Sequence, residues 1–135
     1  MVLPRPFCRK STYTLPSRRS TARVIVAMSG QAGRAILEHD QAFDVILCDM
    51  MMPEMTGMAL HEWLAMRHPE LAARVVFLSG GAFTPKAAAY LASVANLRLD
   101  KPIDAADLQR LVNRMVIETH PSPHCGSIVR AHPVR

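Results

Sequence analysis

The chain has 135 residues, half of them hydrophobic, a length suited to one domain with a single core, and only 5% aromatics beside nine methionines, so that core is aliphatic. Its formal charge is +5, but residues 1–22 hold five basic side chains and no acid while residues 23–117 hold nine basic and ten acidic ones, so the charge belongs to a tail and argues against a nucleic-acid-binding body. No apolar stretch suits a signal peptide or approaches the ~20 residues of a membrane span, and three scattered cysteines (Cys8, Cys48, Cys125) form no disulfide framework.

Residues 1–22 read as a basic, disordered leader. They are Arg- and Ser/Thr-rich like an organellar transit peptide, but Pro4, Pro6 and Pro16 oppose the amphipathic helix such a peptide needs. With cysteines that suit a reducing compartment, the expected location is the cytoplasm. Val24 to Met28 is a short β-branched run that predicts a strand, turning at Ser29-Gly30. Gln31 to Asp40 has Ala32, Ala35, Ile36 and His39 at helical spacing. Asp44 to Cys48 predicts a second, buried strand, and a helix from about Met58 to Arg67 is stopped by His68-Pro69. Arg74 to Leu78 predicts a third strand, closed by Ser79-Gly80-Gly81. Thr84-Pro85 is an N-cap with proline at the first helical position, opening an Ala-rich helix to about Ala95. Leu97 to Asp100 predicts a fourth strand, and Asp104 caps a helix with Leu108, Leu111, Val112, Met115 and Val116 on its apolar face. Residues 118–135, with His120-Pro-Ser-Pro-His124-Cys125, read as a disordered tail, leaving a domain at 23–117.

Strand and helix alternate, which implies an α/β unit with a parallel sheet and helices on both faces. In such a sheet the strand ends converge on one edge. Three polar residues, each ending an apolar run, should therefore meet there: Asp49, Ser79 and Lys101. A carboxylate is a usable nucleophile toward a phosphoryl group, giving an acyl phosphate. A lysine ammonium and a hydroxyl donor can hold the phosphoryl oxygens and neutralise their charge. At ~4 Å and an effective dielectric of ~20, one such charge pair is worth roughly 4 kcal/mol before desolvation. Gly80 leaves room for a phosphoryl donor. The Lys101-Pro102 pair fixes the loop that aims the ammonium, at the one kind of linkage where a cis bond is cheap.

These spacings, with Asp-x-x-x-Pro-x-x-x-Gly from Asp49 to Gly57, resemble the response-regulator receiver family of two-component signalling over about residues 23–117. The Ser-Gly-Gly turn and the Arg-Leu-Asp-Lys-Pro segment look most like receivers attached to bacterial hybrid histidine kinases. The resemblance implies a flavodoxin-like three-layer α/β/α fold, with Asp49 as phosphoacceptor and Ser79 and Lys101 as the phosphoryl-binding pair. It implies Mg²⁺ held by Asp49 and the carbonyl of Met51, and a histidine kinase or phosphotransfer protein as partner. It implies self-promoted phosphotransfer and hydrolysis at most, and no enzyme in the ordinary sense.

The chain departs from that family in three ways. The acidic pair that should hold Mg²⁺ at the end of a first strand is absent, because no Asp or Glu precedes Glu38. Ungapped counting puts its place near Pro4-Arg5, so Mg²⁺ is expected to bind weakly or not at all. The first strand and helix are missing too. Ser11 to Leu15 is the one candidate strand, and seven residues to Arg23 are too few for a helical crossover of about a dozen. A truncated receiver behind an unrelated leader is the expectation. Finally, Arg98 stands where members with an aromatic switch carry Tyr or Phe.

Two rivals follow. One is a non-phosphorylated pseudo-receiver that binds a partner through its last strand and helix. The other is a phosphatase with Asp49 as nucleophile, for which Glu54 is the only nearby candidate for the general acid. Elsewhere the plain assignments hold. The methionines at 50, 51, 52 and 55 pack under the loop, His61-Glu62 is a helix-surface pair, and Trp63 lies at the helix–sheet boundary. His120, His124 and Cys125 lack a fourth ligand for a metal.

Overall fold

The computed structural model describes residues 11–14, 21–81 and 84–119. In chain order these form β1 (Ser11–Thr14), β2 (Thr21–Val24), α1 (Gly30–His39), β3 (Ile46–Asp49), α2 (Gly57–Arg67) and α3 (Pro69–Ala72). Then follow β4 (Val75–Ser79), α4 (Pro85–Ser93), β5 (Arg98–Asp100) and α5 (Ala105–Thr119). β3, β4 and β5 make a parallel sheet in that order, joined by helical connections. Helix starts fall where the capping residues put them. The side chains of Ser29, Thr56 and Thr84 each accept from the backbone N–H three residues on, and Asp104 accepts from Ala106 and Asp107.

Alternation along the strands divides the side chains between two faces. Ile46, Cys48, Val75 and Phe77 share one face. There they join Leu37 of α1, Leu60, Trp63 and Leu64 of α2, Leu71 and Ala72 of α3, and Ala87 and Leu91 of α4 in one apolar cluster. Leu47, Val76, Leu78 and Leu99 share the other face by register. α5 lies on that side, where its Leu111 lines a cleft with Leu99. The layers are therefore helix, sheet and helix, as the receiver resemblance implies.

The N-terminal part differs from the expectation. The strand foreseen at Val24–Met28 runs instead from Thr21 to Val24. It pairs antiparallel with Ser11–Thr14, a stretch the sequence assigns to the leader, in a sheet of its own. Thr, Tyr and Val favour extended backbone in both stretches. The short link suits an antiparallel return and excludes the crossover that parallel pairing needs. Among the described residues, β3 is consequently an end strand of the parallel sheet. The other strands and helices appear within a few residues of their predicted bounds, and the helix that His68-Pro69 stops is followed by the single turn α3.

Candidate functional site

Asp49 closes β3, Ser79 closes β4, and Lys101 follows the last residue of β5. The parallel register brings these three ends to one edge, with Asp49 beside Leu78 and Ser79 beside Asp100. Lys101 donates from Nζ to Oδ2 of Asp49 at 2.5 Å across 52 residues of sequence. Its backbone N–H donates to the Ser79 carbonyl at 2.6 Å, so the third site residue is fastened to the second. The Lys101–Pro102 peptide bond is cis. Oδ1 of Asp49 accepts from the Met51 N–H at 3.0 Å. The Ser79 hydroxyl is fully buried and has no hydrogen-bond partner among the described residues. A carboxylate, an ammonium and an unengaged hydroxyl thus share this strand edge, and Asp49 and Lys101 remain open to solvent.

The loop from Met50 to Thr56 is shaped by backbone approach. A Cβ on Gly57 would stand 2.5 Å from the Asp49 carbonyl oxygen, so only glycine lets α2 begin that close to the acid. Gly57 also donates to the Met50 carbonyl at 3.3 Å, and Met50 N–H to the Leu78 carbonyl at 3.1 Å. Three of the four methionines do pack inward: Met50 is buried, and Met52 and Met55 lie against the apolar cluster. Met51 does not. It is 59% exposed, because its N–H is turned to the Asp49 carboxylate and its side chain faces out.

The residues present do not fit a Mg²⁺ site. The ion demands near-octahedral oxygen ligation from one or two carboxylates with waters. Asp49 is the one site carboxylate, each of its oxygens accepting one hydrogen bond, from Lys101 or Met51. No group of three or more His, Cys, Asp or Glu able to hold a metal occurs among the described residues, and the sequence has no acid before Glu38. The carbonyl of Met51 is left as a single neutral ligand. His120, His124, Cys125 and Cys8 lie outside the described residues. Cys48 is buried and free, and burial pushes its thiol up to about 12, so it acts as a small apolar group.

One polar residue behaves unlike its sequence assignment. His61 is no surface residue: it is 6% exposed, and its Nδ1 lies 2.7 Å from the Tyr90 hydroxyl. Its i−4 and i+3 spacing to Gly57 and Leu64, both buried on α2, was the available signal. Glu62, the next residue, is exposed. Trp63 is buried at the expected boundary, with the Arg34 guanidinium 5.1 Å from its ring centroid. Arg98 is exposed at the start of β5 and supplies no ring to the site.

A family model, the response regulator receiver domain, matches residues 6–113. That span begins before the limit at residue 23 drawn from the motifs, and after the Pro4-Arg5 place of the missing acids. Among solved structures, the chain is similar to the receiver domain of a signal transduction histidine kinase from Syntrophus aciditrophicus, at 27% identity and TM-score 0.58, covering 70% of each chain. It is similar to a response regulator receiver domain protein from Clostridium thermocellum at 28% identity and TM-score 0.60, covering 72% of this chain and 76% of that one. The receiver of a Pseudomonas aeruginosa sensor histidine kinase, a structure with a magnesium ion in its cleft, shares the fold at 23% identity and TM-score 0.59, over 70% of this chain and 76% of that one. Comparison with curated proteins gives no match. Among the described residues no helix is long and apolar enough to cross a membrane. The chain belongs to the response regulator receiver family.

Proposed function

We propose that this receiver domain accepts a phosphoryl group on Asp49 in a cytoplasmic two-component relay, with a histidine kinase or phosphotransfer protein as donor. The observation that carries the proposal is the Lys101–Asp49 pair, closed at 2.5 Å between strand ends 52 residues apart. In the transfer, an Asp49 carboxylate oxygen attacks phosphorus and forms the O–P bond of an acyl phosphate. The N–P bond of the donor phosphohistidine breaks, and its electron pair returns to the imidazole. Lys101 shifts its ammonium from the carboxylate to the new phosphoryl oxygens, and the buried Ser79 hydroxyl is the unengaged donor at the same edge. The domain is an acceptor and not a turnover enzyme.

The transfer is impaired relative to a receiver with a full acidic pair, because no second carboxylate assists at Asp49. A second interpretation has its own support. No acid precedes Glu38 to join Asp49 at this edge, which suits a pseudo-receiver that binds a partner without being phosphorylated. Incubation with acetyl phosphate and Mg²⁺ followed by intact mass separates the two. Added phosphoryl mass in the wild type that disappears in Asp49→Asn supports the acceptor role; an unchanged mass supports the pseudo-receiver. Steady turnover of a model phosphate ester would instead indicate a phosphatase using Glu54.

A further inference from the structure

We propose that the outer edge of β5 pairs with the same edge of a second copy of this chain, antiparallel, joining two parallel sheets across a two-fold axis beside Leu99. The pairing goes beyond the chemistry of Asp49 and stands whether or not that residue is phosphorylated.

β5 is the other end strand of the parallel sheet: β4 lies on one side of it, and among the described residues no strand lies on the other. The Leu97 carbonyl accepts from the Phe77 N–H at 2.9 Å, and the Lys101 N–H donates to the Ser79 carbonyl at 2.6 Å. Backbone groups of alternate residues turn to the same side of a strand, so Leu97, Leu99 and Lys101 face β4. The N–H and C=O groups of Arg98 and Asp100 therefore face outward, as a template for another strand. Both side chains are exposed and share the Phe77 face of the sheet. Neither belongs to an ion pair among the described residues.

Charge on an edge strand ordinarily blunts it. Here the two charges are opposite in sign, and that selects both the occupant and the register. In an antiparallel ladder the outward-facing residues of the two strands must stand opposite one another. That leaves Arg98 against Arg98, Asp100 against Asp100, or Arg98 against Asp100. The first two set like charges side by side, which is unfavourable. The second also brings Pro102, which has no N–H to donate, opposite Arg98. In the third, Arg98 of each copy exchanges both N–H···O bonds with Asp100 of the other, and their side chains pair across the strands on each side of the axis. The edge is complementary to itself.

The opposite face adds an apolar contact. Leu99 is half-buried and lines a cleft with Leu111, Asp107, Arg110 and Arg114 of α5. In the selected register Leu99 meets Leu99 of the second copy at the axis, and both lose contact with water. Arg110 and Arg114 are each paired with an acid of their own helix, Asp107 and Glu118, so the approaching rims oppose no bare charge.

A contact this small makes a weak dimer, so sedimentation equilibrium of the full chain, under reducing conditions, should run from about 10 μM to about 1 mM. Wild type should move from monomer toward dimer over that range. Arg98→Asp and Asp100→Arg, each alone, set like charges opposite one another on both sides of the axis and should weaken association at least about tenfold. Mixed in equal amounts, the two variants are complementary again and should form a mixed dimer. One chain carrying both substitutions should associate as wild type does, which also shows that the single changes did not act through the fold. A wild type that stays monomeric at the top of the range, a single variant that associates like wild type, or no recovery in the mixture and the double variant would overturn the proposal.

Discussion

The two faces of the parallel sheet are held in different ways. On the face that carries Cys48 and Phe77, four helices contribute buried side chains to one cluster, and Leu64 is wholly enclosed. On the face that carries Val76 and Leu99, the described cover is α5, whose one buried side chain is Met115. Leu108, Leu111, Val112 and Val116 of α5 are half-buried although they form the apolar stripe of that helix. The difference teaches that the two faces contribute unequally to the core among the described residues. The acid, lysine and hydroxyl sit on strand ends that the packed face keeps in register, so the site edge forms even though the opposite layer is thin.

The largest expected effect separates the faces directly. Leu64→Ala removes a fully enclosed side chain and should cost about 3–5 kcal/mol in a denaturant melt. Leu111→Ala in α5 should cost about 1 kcal/mol, since its side chain is partly in water already. Equal losses would mean that the α5 face is as well packed as the other. Next comes Gly57→Ala. The added methyl meets the Asp49 carbonyl oxygen and the Met50 Cα, both backbone atoms, at 2.5 and 3.1 Å. The loop must move, at a cost of about 1–3 kcal/mol. Asp49 would move with it, so phosphoryl uptake should fall alongside stability. Lys101→Met is smaller for the fold: the ion pair is open to solvent and its loss should change stability by less than about 1 kcal/mol. Uptake from acetyl phosphate should nevertheless disappear, and the melt and the mass measurement together tell site from scaffold.

The site was legible in sequence because Asp49, Ser79 and Lys101 each end an apolar run, and parallel strands with helical crossovers must bring such ends together. That no acid precedes Glu38 is a fact of the sequence itself. The hairpin of β1 and β2 was not legible. Val24-Ile25-Val26 reads as a buried strand by composition, and nothing local tells that Val24 pairs backward with Ser11. His61 was misjudged because it was read as one surface pair with Glu62, although a helix turns 100° between the two and the i−4 and i+3 spacing to Gly57 and Leu64 places His61 inward.

The smallest effect concerns pH, and it too belongs to the packed face. His61 is buried against Phe77, and burial lowers its affinity for a proton below the ordinary value of 6.5. As the pH falls through 6.5 the unfolded chain takes up a proton there before the folded one does, so proton uptake favours unfolding. The stability contributed by neutral His61 is therefore fully present above 6.5 and is lost progressively as the pH falls toward the lower folded value. Melts at stepped pH should show declining stability across that window in wild type and a flatter profile in His61→Gln, which cannot take up a proton. In Leu111→Ala, altered on the other face, the slope should match wild type. A wild-type slope retained in His61→Gln would place the acid sensitivity elsewhere, and a slope changed by Leu111→Ala would mean that the two faces are energetically one.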